Sequence, residues 1–250
     1  MSIIDTFDGE SAEVIRPCDV ISRVENFPET VIVTFKNTVI DLAKDAYGAE
    51  KIDSLNEDFE LPVFRLNYKG KSIGLYQTLI GGAASAALIE EVAAKGARKF
   101  VFFGSCGTLD KTIPAGHVVV PEAAFRDEGT SYHYAPPGDF MNIASAGRLA
   151  EILAEINVLF IKGRTWTTDA FYRETRNTVA ARKKAGYITV EMECASIMAV
   201  AAFRKVPVYQ FLYSEDNLDD ESWDPRTMGS VRQDMYAHYL KIALEIALRV

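Results

Sequence analysis

The stretch YITVEMECASIMAVAAFRKVPVYQFLYS (187–214) decides the fold. A short β-branched run (187–192) passes directly into a segment of small and apolar residues (194–205) that reads as a helix. A second apolar run (206–214) follows at once. Strand, helix and strand in immediate succession form the unit of an α/β sheet, with helices covering the strands. The same alternation extends outward. VIVTF (31–35) reads as a strand, and the helix after it runs to about Tyr47 with Asn37 or Thr38 as its cap. Residues 62–78 read as a hairpin turning at Lys69–Gly70–Lys71, and 81–97 as a helix closed by Gly96. Further strands are expected at 99–107, 117–125 and 158–163, and further helices at 145–156, 174–186 and from about Arg226 to Ala247. Residues 1–29 show no pattern. This alternation implies a largely parallel sheet, whose ligands gather at the carboxyl ends of the strands.

Composition narrows the function. The 250 residues are 48% hydrophobic and 25% charged, with no Pro/Gly/Ser-rich linker and no internal repeat, so one domain over 1–250 is expected. A net charge of −8 argues against a broad nucleic-acid-binding face. No apolar run reaches the roughly 18 residues of a membrane span. Three scattered cysteines, with no signal peptide in view, read as reduced thiols in a cytoplasmic protein. Three histidines without ligand spacing point to no metal site.

Three clusters at strand ends carry the chemistry. Glu191 and Glu193 are two residues apart in a run of core character, so a continuing strand would point both at one crevice. A carboxylate there suits vicinal hydroxyls, while capping of the following helix is the bland alternative. FFGSCGT (102–108) ends an apolar run in Gly104-Ser105-Cys106-Gly107, read as a turn whose backbone N–H groups cradle an anion. Cys106, with no His or Asp spaced to activate it, reads as a buried thiol. YSEDNLDDESWDPR (213–226) is an acidic loop whose Asp216, nearest the strand end, is placed to act as a general acid.

Taken in order, GGAASAALIEEVAAKGARKFVFFGSCGTL, GHVVVPEAAFRDEGTSYHY, TTDAFYRET, VEMECASIMAVAAFR and YSEDNL resemble the nucleoside phosphorylase superfamily of purine nucleoside and uridine phosphorylases. The resemblance covers most of the chain from about residue 62. It implies a three-layer αβα sandwich around a mixed, partly barrel-like sheet, usually in hexamers built from dimers. It further implies cleavage of a ribonucleoside by inorganic phosphate, without cofactor, to ribose 1-phosphate and free base. On this resemblance Glu193, with Met192 and Glu191 beside it, lines the ribose site, and His133 stands in for a missing N-terminal histidine. Gly104, Ser105 and Gly107 match the phosphate loop, with Lys36 and Arg126 as candidate cations. Phe171 lies under the base and Arg176 stands near a uracil-reading arginine. Asp216 protonates the leaving purine, with Arg226 as its partner, which tips the expected preference toward purines over uridine. Two departures bear on the acceptor: Phe102 occupies a position the family gives to arginine, and VTFKNTVID (33–41) lacks the Gly-Asp-Pro-x-Arg signature. Hydrolysis by water, or nucleoside binding without catalysis, therefore stay open beside phosphorolysis.

Overall fold

The computed structural model describes residues 2–55, 60–230 and 232–250. Its first half runs α1 (Pro17–Val20), β1 (Thr30–Thr34), α2 (Asn37–Tyr47), β2 (Glu50–Leu55), β3 (Leu61–Tyr68), β4 (Lys71–Gln77), α3 (Gly82–Lys95) and β5 (Lys99–Thr108). The second half runs β6 (Val118–Asp127), β7 (Phe140–Asn142), α4 (Ala146–Glu155), β8 (Phe160–Thr168), α5 (Arg176–Lys184), β9 (Tyr187–Glu191), α6 (Cys194–Arg204), β10 (Val208–Asn217) and α7 (Gln233–Arg249).

Local chemistry explains most boundaries. β1 is TVIVT and is buried at every position, so β-branched residues meet a fully covered strand. The β3–β4 hairpin turns through Lys69 and Gly70, both at positive φ (52° and 84°), as a two-residue turn of matching twist requires. α3 opens at Gly82, where a Cβ would stand 2.2 Å from Ser196 Oγ, so the missing side chain lets α3 close on α6.

The strands form one sheet in the order β10-β6-β8-β9-β5-β1-β4-β3-β2, with β7 on β6. A second pairing of β10 with β5 closes β10, β6, β8, β9 and β5 into a five-stranded barrel. The result is a mixed α/β fold with a barrel-like sheet, as the family resemblance implies. The sheet is not largely parallel, as the alternation alone suggests. β1–β4, β1–β5, β5–β10, β6–β8 and β8–β9 are parallel, but β2–β3, β3–β4, β5–β9, β6–β7 and β6–β10 are antiparallel. The main core packs α2, α3, α4, α6 and α7 onto the sheet, around Ile32, Phe102, Ile197 and Leu240.

Four readings of the sequence are corrected. Lys36, not Asn37 or Thr38, is the N-cap of α2, and Asn37 bonds to Asp41 instead. Residues 104–107 are not a turn: β5 runs through them, paired on one side with β10 and at Gly107 with β9. The glycines serve close packing, since a Cβ at Gly104 would stand 2.7 Å from the Phe35 ring. α7 begins at Gln233 rather than near Arg226, because residues 226–230 turn, with Arg226 and Gly229 at positive φ; Val231 lies outside the described residues. Finally, β9 stops at Glu191 rather than running to residue 192, so Glu193 is the N-cap of α6, and both glutamates line the cavity described below.

Candidate active site

The carboxyl ends of β5, β9 and β10 and the loops after β1, β8 and β10 enclose a cavity of about 1040 Å³. Its wall includes Lys36, Ser105, Gly107, Phe171, Arg176, Met192, Glu193 and Asp216. Pockets of this size, apolar with a few convergent polar groups, take small organic ligands.

Glu193 is the N-cap residue of α6, with its backbone (φ −138°) already turned out of the strand. One carboxylate oxygen accepts the Gly81 N–H at 2.7 Å, which fixes the group against the start of α3. Burial raises its pKa to about 8, the charge of Glu191 adds to this, and the Gly81 bond offsets part of it. Glu191 is spent differently. One oxygen accepts the N–H groups of Glu193 (2.8 Å) and Cys194 (2.6 Å), and the other accepts the Thr167 hydroxyl (2.5 Å). The helix-capping alternative thus describes Glu191: it satisfies the free donors of α6 from the preceding strand. Burial still outweighs those bonds and places its pKa at about 7.

Asp216 sits where β10 meets Gly107 of β5. Its Oδ2 accepts the indole N–H of Trp223 at 2.7 Å, and a Cβ on Gly107 would lie 3.1 Å from its Oδ1. Burial raises the pKa of Asp216, against the Trp223 bond and the more distant field of Arg226. A carboxyl at a cavity wall whose pKa is raised is suited to proton donation. Facing the same space is Glu174, which no sequence pattern singled out. Burial, reinforced by Asp216, raises its pKa to about 7. Among the described residues its side chain has no hydrogen-bond partner.

Cations are scarce. Lys183 pairs with Asp219, Lys111 lies 3.8 Å from Asp220, and Arg176 donates to the Glu221 carbonyl, all onto the acidic loop after β10. Among the described residues two of the lining cations, Lys36 and Arg176, make no ion pair. Phe171 is 45% exposed, its ring centroid 3.9 Å from that of Tyr172, so it offers an open aromatic face.

Four of the expected residues do not line the cavity. Gly104 is packed under Phe35. Arg126 is buried, donating to Ser131 Oγ (2.7 Å) and the carbonyls of Pro136 (2.6 Å) and Ala135 (3.3 Å), with its guanidinium over the Tyr132 ring. It stiffens the loop after β6. His133 is exposed at the end of the short 3₁₀ turn Thr130–His133, away from the cavity wall. Arg226 donates to the carbonyls of Ile113 (2.7 Å) and Lys111 (3.2 Å) and reaches Asp216 only through its field.

A sequence profile of the phosphorylase superfamily matches residues 31–248, nearly the whole chain. The chain belongs to the phosphorylase superfamily. It is 28% identical over 205 residues to a DeoD-type purine nucleoside phosphorylase of Alkaliphilus metalliredigens, covering 79% of this chain and 85% of that protein. It is 33% identical over 151 residues to a uridine phosphorylase of Thermococcus kodakarensis, 54% of each chain. The solved uridine phosphorylase of Vibrio fischeri superposes with a TM-score of 0.75 at 22% identity, over 92% of this chain and 95% of that one. That superposition shows the shared fold. The superfamily's nucleoside phosphorylases are pentosyltransferases, so this cavity lies on an enzyme scaffold. Among the described residues no group of three or more His, Cys, Asp or Glu side chains is placed to hold a metal ion. No described helix is long and apolar enough to cross a membrane.

Proposed function

We propose that this protein, as one domain over 1–250, cleaves the N-glycosidic bond of a ribonucleoside with inorganic phosphate, giving ribose 1-phosphate and free base, with purines preferred to uridine. The observation that carries this reading is the pairing of Asp216 and Glu193 on one cavity wall: a carboxyl at the end of β10 whose pKa burial raises, and a second carboxyl held by a backbone N–H with an oxygen to spare.

The chemistry follows from charge. As the bond breaks, negative charge grows on the base and positive charge on the sugar. Asp216 gives its proton to the departing base, a transfer worth about 10²–10⁴ in rate. Glu193 accepts hydrogen bonds from the ribose hydroxyls, which favours its ionised form and draws its proton off as the sugar binds. Met192 packs beside the sugar and Phe171 under the base. Ser105, beside Gly107, and Lys36 bind the phosphate that attacks the anomeric carbon. Arg176 and Glu174 face the base from the loop after β8. No metal or organic cofactor takes part. We place the reaction in purine salvage by a cytoplasmic homo-oligomer, a hexamer built from dimers.

The test is product analysis with inosine and with uridine at rising phosphate concentration. Base release and ribose 1-phosphate should rise together and saturate, faster with inosine. Equal or faster cleavage of uridine would remove the purine preference, and absence of ribose 1-phosphate would remove phosphorolysis.

A further inference from the structure

Trp223 has no part in the cleavage chemistry as described, yet it holds the group on which that chemistry depends. The chain after β10 folds back on itself. Asn217 and Asp224 form an antiparallel bridge, the Asn217 N–H donating to the Asp224 carbonyl (2.9 Å) and the Asp224 N–H to the Asn217 carbonyl (3.0 Å). Thr108 of β5 donates to the Asn217 side-chain oxygen (3.2 Å), and Lys183 of α5 pairs with Asp219, so the loop is tied down on both sides. This return carries Trp223, one residue before the bridge, onto the cavity wall beside Asp216. The side chain is 57% exposed, so core packing does not explain it. Its one polar group, the indole N–H, donates to Asp216 Oδ2 at 2.7 Å. Among the described residues no other side chain donates to the Asp216 carboxyl, and Arg226, the expected partner, donates to the carbonyls of Ile113 and Lys111 instead.

An indole N–H donates and cannot accept. A neutral carboxyl keeps its proton on the oxygen that receives no N–H. Trp223 therefore assigns the Asp216 proton to Oδ1, the oxygen beside Gly107 on the cavity wall. When that proton leaves, the bond to Oδ2 turns from neutral to charge-assisted and strengthens. We propose that Trp223 is a positioning residue for the general acid, aiming the Asp216 proton at the base and stabilising the carboxylate left behind. This rests on the reading of the cavity as a site of N-glycosidic cleavage. The proton passes from Oδ1 to a ring nitrogen of the base as the C–N bond breaks and its electron pair goes to the base. A phosphate oxygen bonds to the anomeric carbon, and the proton that the phosphate carried in restores Asp216 through solvent. The other groups facing Asp216 do not supply this. Glu174 from the loop after β8 and Asp224 repel a negative charge there, Cys106 of β5 is a buried neutral thiol, and Arg226 acts only through its more distant field.

The experiment pairs fluorine NMR of the protein labelled with 5-fluorotryptophan with the kinetics of Trp223→Phe on inosine and 7-methylguanosine. The chain has two tryptophans, and Trp166 is buried with its N–H on Asp127, so Trp223→Phe assigns the second signal. That signal should move with pH as Asp216 titrates and stay still in Asp216→Asn. Cleavage of inosine needs Asp216 protonated, so activity falls as pH rises through its pKa. Removing the indole N–H takes a hydrogen bond from the ionised form and raises that pKa. The alkaline limb that Asp216→Asn lacks should therefore move up by about one pH unit in Trp223→Phe. Below the limb, kcat on inosine should fall at least about tenfold. 7-Methylguanosine, whose base leaves without protonation at N7, should be cleaved within a few-fold of the wild-type rate. A merely structural role would slow both substrates alike and leave the limb in place, which would overturn the proposal. An indole signal that does not follow Asp216 would overturn it as well, and this comparison of wild type with Asp216→Asn decides even should Trp223→Phe fail to fold. Either result, with the wild type active on inosine, sinks the proposal alone; no cleavage of any nucleoside by the wild type would sink the reading of the cavity and the proposal with it.

Discussion

Replacing Asp216 by Asn tests the acid role with little disturbance to the fold. The two side chains have nearly the same shape, and an amide oxygen can still accept the Trp223 indole N–H that Asp216 receives at 2.7 Å. For an acid that acts in its neutral form the bond to the indole stays a neutral one, so stability should move by about 1 kcal/mol or less. The amide cannot give up a proton to the base. On inosine, kcat should therefore fall by about 10²–10⁴, which is about 3–5 kcal/mol of transition-state stabilisation. KM should change little, since the ribose contacts lie on Glu193. The decisive comparison uses 7-methylguanosine, whose alkylated base leaves without protonation at N7. Stopped-assay measurement of base release should show the variant crippled on inosine and within a few-fold of wild type on 7-methylguanosine. Equal losses on the two substrates would refute the reasoning and make Asp216 a structural group.

Three other expectations follow from the same geometry. Gly107→Ala would place a methyl 2.6 Å from Leu218 Cδ1 and 3.1 Å from Asp216 Oδ1 and Val190 Cγ1; chemical denaturation should show a loss of about 1–3 kcal/mol, and activity should fall further as Asp216 is displaced. Glu193→Gln removes a charged acceptor for the sugar, worth about 1.5–3 kcal/mol, so KM for inosine should rise at least about tenfold while that for 2′-deoxyinosine rises less. Stability should depend on pH through the buried carboxyls: Glu174 and Glu191 titrate at about 7 and Glu193 at about 8, above the ordinary 4.5. Each binds its proton more tightly folded than unfolded, so its contribution is complete below about pH 4.5 and is lost as pH rises through 7 to 8. The urea midpoint should accordingly fall between pH 5.5 and 8.5, less steeply in Glu193→Gln, and a midpoint that rose over this range would contradict the burial of these groups.

Elements with a strong local signal were legible in the sequence. β1, the β3–β4 hairpin and the β9–α6–β10 unit follow from β-branched runs, a Lys-Gly turn and small-residue helices. β2 was not, because Glu50–Leu55 is a half-exposed edge strand with charged residues and no clean alternation. Barrel closure was beyond reach of local pattern, since the β5–β10 pairing joins residues about a hundred positions apart. The site divides along the same line. Residues standing directly at strand ends, Ser105, Glu193 and Asp216, were placed by their neighbours in sequence and do meet at one cavity. Arg126, His133 and Arg226 were placed by analogy with the family, standing in for residues this sequence lacks or lying near where it keeps them, and tertiary contacts decide otherwise: a guanidinium drawn out of water seeks carbonyls, as those of Arg126 and Arg226 do. Glu174 and Glu215 escaped notice because their meaning lies in what surrounds them. A glutamate before a helix and an acid beside a strand end look like surface until the fold turns both to the cavity, Glu215 where the register of β10 against β5 slips.

The central claim is that this cavity breaks the bond between ribose and base. Its most direct test is continuous measurement of hypoxanthine formation from inosine by the purified protein in phosphate buffer. The account predicts catalytic turnover that saturates with inosine and is abolished by combining Asp216→Asn with Glu193→Gln. Saturable binding of inosine by calorimetry, with no hypoxanthine formed over many hours, would contradict it and make the protein a nucleoside binder on an enzyme scaffold.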